Sequence, residues 1–499
     1  MSEIKNNEKT IDNPPVKEEI KKPEDHKKQE NMGSNLDQMR SSGGISLKDK
    51  MTHSGIIETP KQKEIKENKA KIADVQDKKT TIGSKLENLS STGTVKEKDN
   101  SERNRLEKAE GVKEITKPYY DDARELARKS ETGSNFTDHT EKHVEQVAEK
   151  SLETADALEQ AIEKGKFQRK SDDPDHIAFA GNIDKSALEG AALSHDTGMR
   201  GDGYAVETYE DENGNIQFKK DADGNILVSK EDNQDFDQVR NNHSLNSAIN
   251  ILTDREKYKE LGYSDEQVDM MAAECMAHSK SKSGVQDLNN KKDWDKCFNC
   301  MDAVIKQYNA DHPDANISFD RSRFENNDEK FGQLATSTLA LRVGDVSRDS
   351  GPNAISQSGD AVHVNRKTIN DSAGTAAGEV KNADIKLGDQ DMTNEFSRKV
   401  HAGEQNIVKN HTNCKDDGSV CHEITVADGN SAPKCTEKAI EDHVKEFASC
   451  SGGDFTVEVK FDKIPEDTTS YEAFKEEMAG KYDNVEIVYP WDPKNEEDN

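Results

Sequence analysis

The chain has 499 residues with 100 acidic and 70 basic side chains, a formal net charge of −30. Residues 1–100 hold 20 Lys+Arg against 18 Asp+Glu, so the remaining 399 residues net −32. A body of that charge repels phosphate backbones, which excludes general polynucleotide binding, and no run of about 18 apolar residues exists, which excludes a transmembrane helix and a membrane partner.

All 26 aromatic residues lie at or beyond Tyr119. A stretch without aromatics and poor in branched apolar residues cannot bury enough surface to offset chain entropy, so residues 1–115 are expected to be a disordered arm. The N-terminus lacks the apolar core and small-residue cleavage site of a secretory signal. Seven cysteines, an odd number, argue against a disulfide framework. The expected setting is cytoplasmic, with export by a signal-independent route left open.

The arm contains one echo. Residues 32–43 recur as residues 82–93, with Ser34/Ser84, Leu36/Leu86 and Gly43/Gly93 in register. Each copy can form a short capped helical turn with two apolar anchors for a protein partner. The plainer reading is a duplicated spacer, because two turns are too short to be stable alone.

From about residue 101 the pattern turns helical. Val144, Val147, Ala148, Leu152, Ala155 and Leu158 follow 3–4 spacing. Residues 187–193 form the next helix, with Asp184 or Ser186 as its cap. Between it and the third helix (around 246–252) lies an insertion, residues 204–230, that alternates like strands. Asn213-Gly and Asp223-Gly are hairpin signals, so a three-stranded meander is expected, overhanging any site nearby. Asp221-Ala-Asp-Gly-Asn225 reads as a turn rather than a calcium loop, since it lacks a distal Glu. Ser264-Asp-Glu-Gln267 is a capping box ahead of Val268, Met271 and Met276. Residues 331–346 are apolar nearly all round and therefore buried.

Residues 351–395 are rich in Gly, Ser, Asn and Asp, and read as a linker. Residues 396–492 then alternate strand (420–426), helix (436–448), strand (455–461), helix (471–482) and strand (485–489), a small α/β domain. Its cysteines, 414, 421, 435 and 450, contain no CxxC knuckle, which disfavours zinc with His422 or His443. Cys297 and Cys300 share a helix with Met301 and read as packing. The whole is mainly α: a helical domain over 116–350, with an α/β module after it.

Each of the five helices carries a metal-capable side chain near an end or on its apolar side: His143, then His195-Asp196, then His243, His278 and Asp345. The contexts are Lys-His143-Val-Glu-Gln-Val, Ala191-Ala-Leu-Ser-His-Asp-Thr-Gly198, His243-Ser-Leu-Asn-Ser-Ala, Ala277-His278-Ser, and Leu339-Ala-Leu-Arg-Val-Gly-Asp345. Over roughly 119–350 this series resembles the HD-domain superfamily of metal-dependent phosphohydrolases, whose pattern is H…HD…H…H…D on a helical bundle. The resemblance implies a bundle whose His143, His195, Asp196, His243, His278 and Asp345 are metal ligands. The doublet is followed by Thr-Gly-Met199, without the Lys of the cyclic-di-GMP-cleaving branch, and no Gly-Tyr-Pro follows. No synthetase domain is attached, so the substrate class stays broad.

The chemistry is coherent without the family. Imidazole and carboxylate together suit Mn, Fe or Co, and Mg with more oxygen ligands. Four His and two Asp exceed one ion's needs, so two ions with Asp196 as the shared, catalytically central carboxylate are expected. Such a pair can bind a phosphate and supply hydroxide at neutral pH. His139, one turn before His143, is a further ligand, a proton donor to the leaving oxygen, or a surface residue. Arg342 and Arg348 flank Asp345 and are candidate phosphate-binding cations, ion pairing being the plainer role. Thr197 and Ser244 either bind phosphate or orient ligands. The expected function is hydrolysis of a nucleotide or another small phosphate ester. The alternative is a non-catalytic metal- or nucleotide-binding sensor or scaffold.

Overall fold

The computed structural model describes residues 93–129, 138–166, 173–212, 216–232, 234–347, 362–364, 385–387, 390–391 and 402–493. Apart from Gly93 the echo of the arm lies outside them, as do Asn213-Gly214, Arg348 and most of the stretch read as linker. No helix among the described residues is long and apolar enough to cross a membrane.

The first helix, α1 (Gly93–Lys129), begins well before residue 116, where the folded part was expected to start. Aromatic content misjudged this boundary. Ala109, Val112, Thr116, Tyr120, Ala123 and Ala127 recur at 3–4 spacing, and all are buried. Small and β-branched residues suffice here because the helix lies close to its neighbours: a Cβ on Gly111 would fall 2.4 Å from a Leu261 methyl. Pro118 sits inside the helix without ending it.

The bundle continues with α2 (Glu141–Glu163), α3 (Lys185–Ser194), α4 (Phe236–Thr253), α5 (Arg255–Glu260), α6 (Asp265–Ala277), α7 (Lys291–Asp311), α8 (Ser322–Glu325) and α9 (Asp328–Val346). Asp184 caps α3, accepting from the Ser186 and Ala187 N–H groups at 3.1 Å each. The Ser264–Gln267 capping box forms at α6 as the sequence indicates. A second box, Asp235 with Gln238, opens α4. The α9 helix is buried all round from Phe331 to Gly344. It presses on α2 at Gly344, where a Cβ would meet Ser151 Oγ at 2.2 Å and Val147 O at 2.8 Å.

The insertion is built differently from a meander. Strand β1 (Gly203–Val206) pairs antiparallel with β4 (Val228–Glu231), while β2 (Thr208–Glu210) pairs with β3 (Ile216–Phe218). One kinked leading strand thus serves two partners. Glu207 lies at the kink, donating to Leu227 O at 3.0 Å and accepting from the Lys219 N–H at 2.9 Å. Asp221 closes the last turn by accepting from the backbone N–H groups of Asp223 and Asn225.

Within the stretch read as linker, the described residues form a small antiparallel sheet of β5 (Val362–Val364), β6 (Ile385–Leu387) and β7 (Gln390–Asp391). Beyond it come β8 (Ile407–Cys414), β9 (Val420–Val426), α10 (Pro433–Ala448), β10 (Phe455–Phe461), α11 (Thr469–Lys481) and β11 (Val485–Val488). The sheet order is β11-β10-β9-β8. The β8/β9 hairpin is antiparallel, and the two helical crossovers make the remaining pairs parallel. This sheet packs on the bundle, and one hydrophobic cluster runs through both. Thr412 N–H donates to Glu153 at 2.7 Å and Lys150 Nζ to Asn410 O at 2.7 Å, tying β8 to α2.

Two predictions follow from the packing of α9. Gly344→Ala forces a methyl into backbone and hydroxyl atoms of α2, and should cost about 1–3 kcal/mol in urea unfolding. Glu274 on α6 is fully buried, accepts from the Ser337 hydroxyl, and is pushed up by burial to about 8 from 4.5. It is therefore protonated in the fold and ionised in the unfolded chain between those values, so its contribution to stability falls as pH rises from 4.5 through 8. Urea midpoints of Glu274→Gln should fall less than wild type between pH 6 and pH 8.

Candidate metal centre

Five helices converge on one point. His143 lies in the first turn of α2, His195 and His278 cap the C-termini of α3 and α6, His243 is on α4, and Asp345 is in the last turn of α9. All six side chains named from the sequence as ligands meet. His143, His195, Asp196 and Asp345 form one group of donor atoms, and Asp196, His243 and His278 form another.

Asp196 joins the two groups. Its Oδ2 is 3.1 Å from Nε2 of both His143 and His195. Its Oδ1 is 3.7 Å from His243 Nε2 and 4.0 Å from His278 Nε2. Asp345 Oδ1 closes the first group at 3.4 Å from His143 and 3.6 Å from His195. It is also the most accessible of the six carboxylate and imidazole side chains, 27% exposed against 2% for Asp196.

The imidazoles are oriented from behind. His195 Nδ1 faces Ala192 O at 2.7 Å, His243 Nδ1 faces Arg240 O at 2.8 Å, and His278 Nδ1 faces Cys275 O at 2.5 Å. A carbonyl only accepts, so each Nδ1 carries the hydrogen and each Nε2 turns a lone pair inward. His243 Nε2 and His278 Nε2 then stand 3.0 Å apart. Two facing lone pairs at that distance repel unless a proton or a cation lies with them. His143 Nδ1 is buried without a hydrogen-bond partner, and the buried His195 Nε2 faces only the carboxylates of Asp196 and Asp345. The donor set therefore fits divalent cations, one group on each oxygen of Asp196.

Electrostatics describe the same need. Burial lowers His195, but the Asp196 and Asp345 carboxylates outweigh it and hold its pKa up at about 10. Burial raises Asp196, yet the charges of His195 and His139 and the bonds from His143 and His195 keep it well below the usual carboxylate range. Asp345 is likewise held low, against its own burial, by His143 and His195. His278 is pushed down to about 3 by burial and by its neighbours His195 and His243, and burial lowers His243. One group draws in positive charge, while the imidazoles of the other are held neutral, the protonation state a metal ligand needs.

The other site residues named from the sequence fall in different places. His139 adjoins the cluster, its ring 5.1 Å from that of His143. Thr197 is buried and its hydroxyl donates to Ser194 O at 2.9 Å, fixing the turn after the doublet. Ser244 Oγ is buried, 3.4 Å from Ser281 Oγ. Arg342 is 1% exposed and bound to main-chain carbonyls, so it is a structural cation rather than one open to a phosphate. A helix buried all round has to bury its arginine as well, and that is the physical reason.

Other residues shape the doublet without any sequence signal. Tyr120 of α1 donates to Leu193 O at 2.8 Å, and Tyr258 OH is 3.1 Å from Ser194 Oγ. Gly198 explains the glycine after the doublet: a Cβ there would sit 2.1 Å from His243 O. In the C-terminal module the metal-capable side chains that lie together are Cys421, Glu423 and Glu458, without the histidines weighed from the sequence. His422 Nε2 pairs with His443 Nδ1 at 2.9 Å, and Cys421 lies with Glu423 and Glu458, both paired to Lys460.

No known family profile matches the chain, and neither the curated proteins nor the solved structures contain a match.

The shared carboxylate generates a prediction. Asp196→Asn should abolish high-affinity Mn2+ binding at both groups, whereas His278→Ala should leave one ion bound. Elemental analysis of gel-filtered protein counts the ions.

Proposed function

We propose that this chain is a divalent-metal-dependent phosphohydrolase acting on a nucleotide or other small phosphate ester, in the manner of the HD-domain superfamily that its motifs resemble. The observation that carries the reading is the Asp196 carboxylate, buried with one oxygen toward each of two ligand groups. A cation pair bound there would supply Lewis acidity for a phosphoryl oxygen and an acidified water as nucleophile.

The chain's own residues do the rest. His195, His243 and His278 are locked by carbonyls, so the donor atoms need little reorganisation when ions bind. Leu193, Met276 and Ala277, which adjoin them in the chain, are buried and apolar, and a low-dielectric surrounding strengthens charge interactions. Asp345, the accessible carboxylate, marks the side from which substrate enters. His139 stands beside the cluster, four residues before His143, and is assigned as the proton donor to the leaving oxygen. The insertion beside α4 and α7 is assigned as a screen on substrate size, and the acidic body slows anions rather than steering them. That combination favours a small metabolite.

Hydrolysis of a panel of nucleotides and phosphate esters with Mn2+, Co2+, Fe2+ or Mg2+ tests the reading. His195→Ala and Asp196→Ala should each lower kcat/KM by roughly 100-fold or more. Turnover no higher than in those variants, in protein that binds metal, would leave a sensor or scaffold as the function.

A further inference from the structure

Between α6 and α7 the chain runs from His278 to Asn290 without a helix or a strand. It is held from two sides. On the bundle side, Arg342 Nε donates to Ala277 O at 2.9 Å, and Nη2 donates to the carbonyls of Ala277 and Val285 at 2.5 Å each. One guanidinium thus ties the residue before His278 to a point eight residues later. It does so from the helix that carries Asp345.

On the other side lies the C-terminal end of α10. Lys280 Nζ pairs with Glu446 at 3.1 Å and donates to Lys445 O. Leu288 N–H donates to Ser449 O at 2.9 Å. Returning bonds run from the Ser451 N–H to Asp287 at 3.3 Å and from the Gly452 N–H to Asn289 at 2.9 Å. A helix C-terminus carries partial negative charge, so Lys280 is placed where the α10 dipole favours it. Burial lowers Arg342, and the Glu446, Cys450, Cys297 and Asp287 side chains oppose that shift. The segment after His278 is therefore clamped between a buried arginine and the α/β module.

We infer that Arg342 is a positioning residue for His278, and that the C-terminal module sets the cation affinity of the His243–His278 group through Glu446. The inference rests on the metal-centre reading above. His278 Nδ1 is aimed by Cys275 O, two residues before the carbonyl that Arg342 grips. Loosening the clamp lets the end of α6 fray and the imidazole turn away from Asp196 Oδ1.

The test is Co2+ titration of the full chain, followed by visible absorption and by calorimetry. Wild type should bind two ions. Glu446→Gln, which keeps shape and removes charge, should weaken one site about tenfold and spare the other. Arg342→Lys should act at the same site, since an ammonium lacks the Nε/Nη2 fork that grips Ala277 O. Lys438→Ala, elsewhere on α10, should change neither. In a His278→Ala background, Glu446→Gln should add nothing. Unchanged affinities in Glu446→Gln, equal losses at both sites, or the same loss with His278 already removed would each overturn the inference. Wild type that binds no Co2+ overturns the metal-centre reading itself, and the inference with it.

Discussion

The rest of this molecule is arranged around one buried carboxylate. Asp196 is 1% exposed, and an ionised carboxylate in such a place is costly unless positive charge surrounds it. The fold meets that demand by bringing imidazoles from four different helices to its two oxygens. Two of them sit at helix C-termini, where partial negative charge also favours a cation. The glycines that look arbitrary in sequence are part of the same arrangement. Gly198 lets the turn after the doublet lie against α4, and Gly344 lets α9 lie against α2 so that Asp345 reaches His143.

Much of this was legible in the residues because it rests on period and spacing. The Ser264 capping box, the strands at 420–426 and 455–461 and the buried α9 follow from local patterns, while the six His and Asp side chains that gather were named together through a family resemblance. What was not legible depends on contacts between segments distant in sequence. Tyr120 supports the doublet across 73 residues, and nothing near it says so. The β8 strand escaped because Lys409, Asn410 and His411 break its alternation, and its place is set by α2 and β9. Arg342, weighed between phosphate binding and ion pairing, does neither of these and instead grips main-chain carbonyls. Its neighbour Asp345 drew attention to it, although the apolar character of its own helix already required it to be buried.

The C-terminal module also takes on a different character. Read alone, it offered no activity and no metal site. Its hydrophobic contacts are continuous with the bundle, its β8 strand is bonded to α2, and α10 ends against the segment after His278. One enclosed polar feature, the stacked pair of His422 and His443, is completed by Thr412 and reaches Thr154 of α2 through it. These polar points join the module to α2, which carries His143, and to the segment that follows His278.

The early start of α1 has a practical meaning for anyone dividing this chain. A cut at residue 115, where the arm was expected to end, would keep Tyr120 but discard Ala109 and Val112 from the core. It would also remove Arg105, which pairs with Glu189 of α3, and uncover Leu261 opposite Gly111. A shortened protein meant to retain these contacts of α1 has to begin before Arg105.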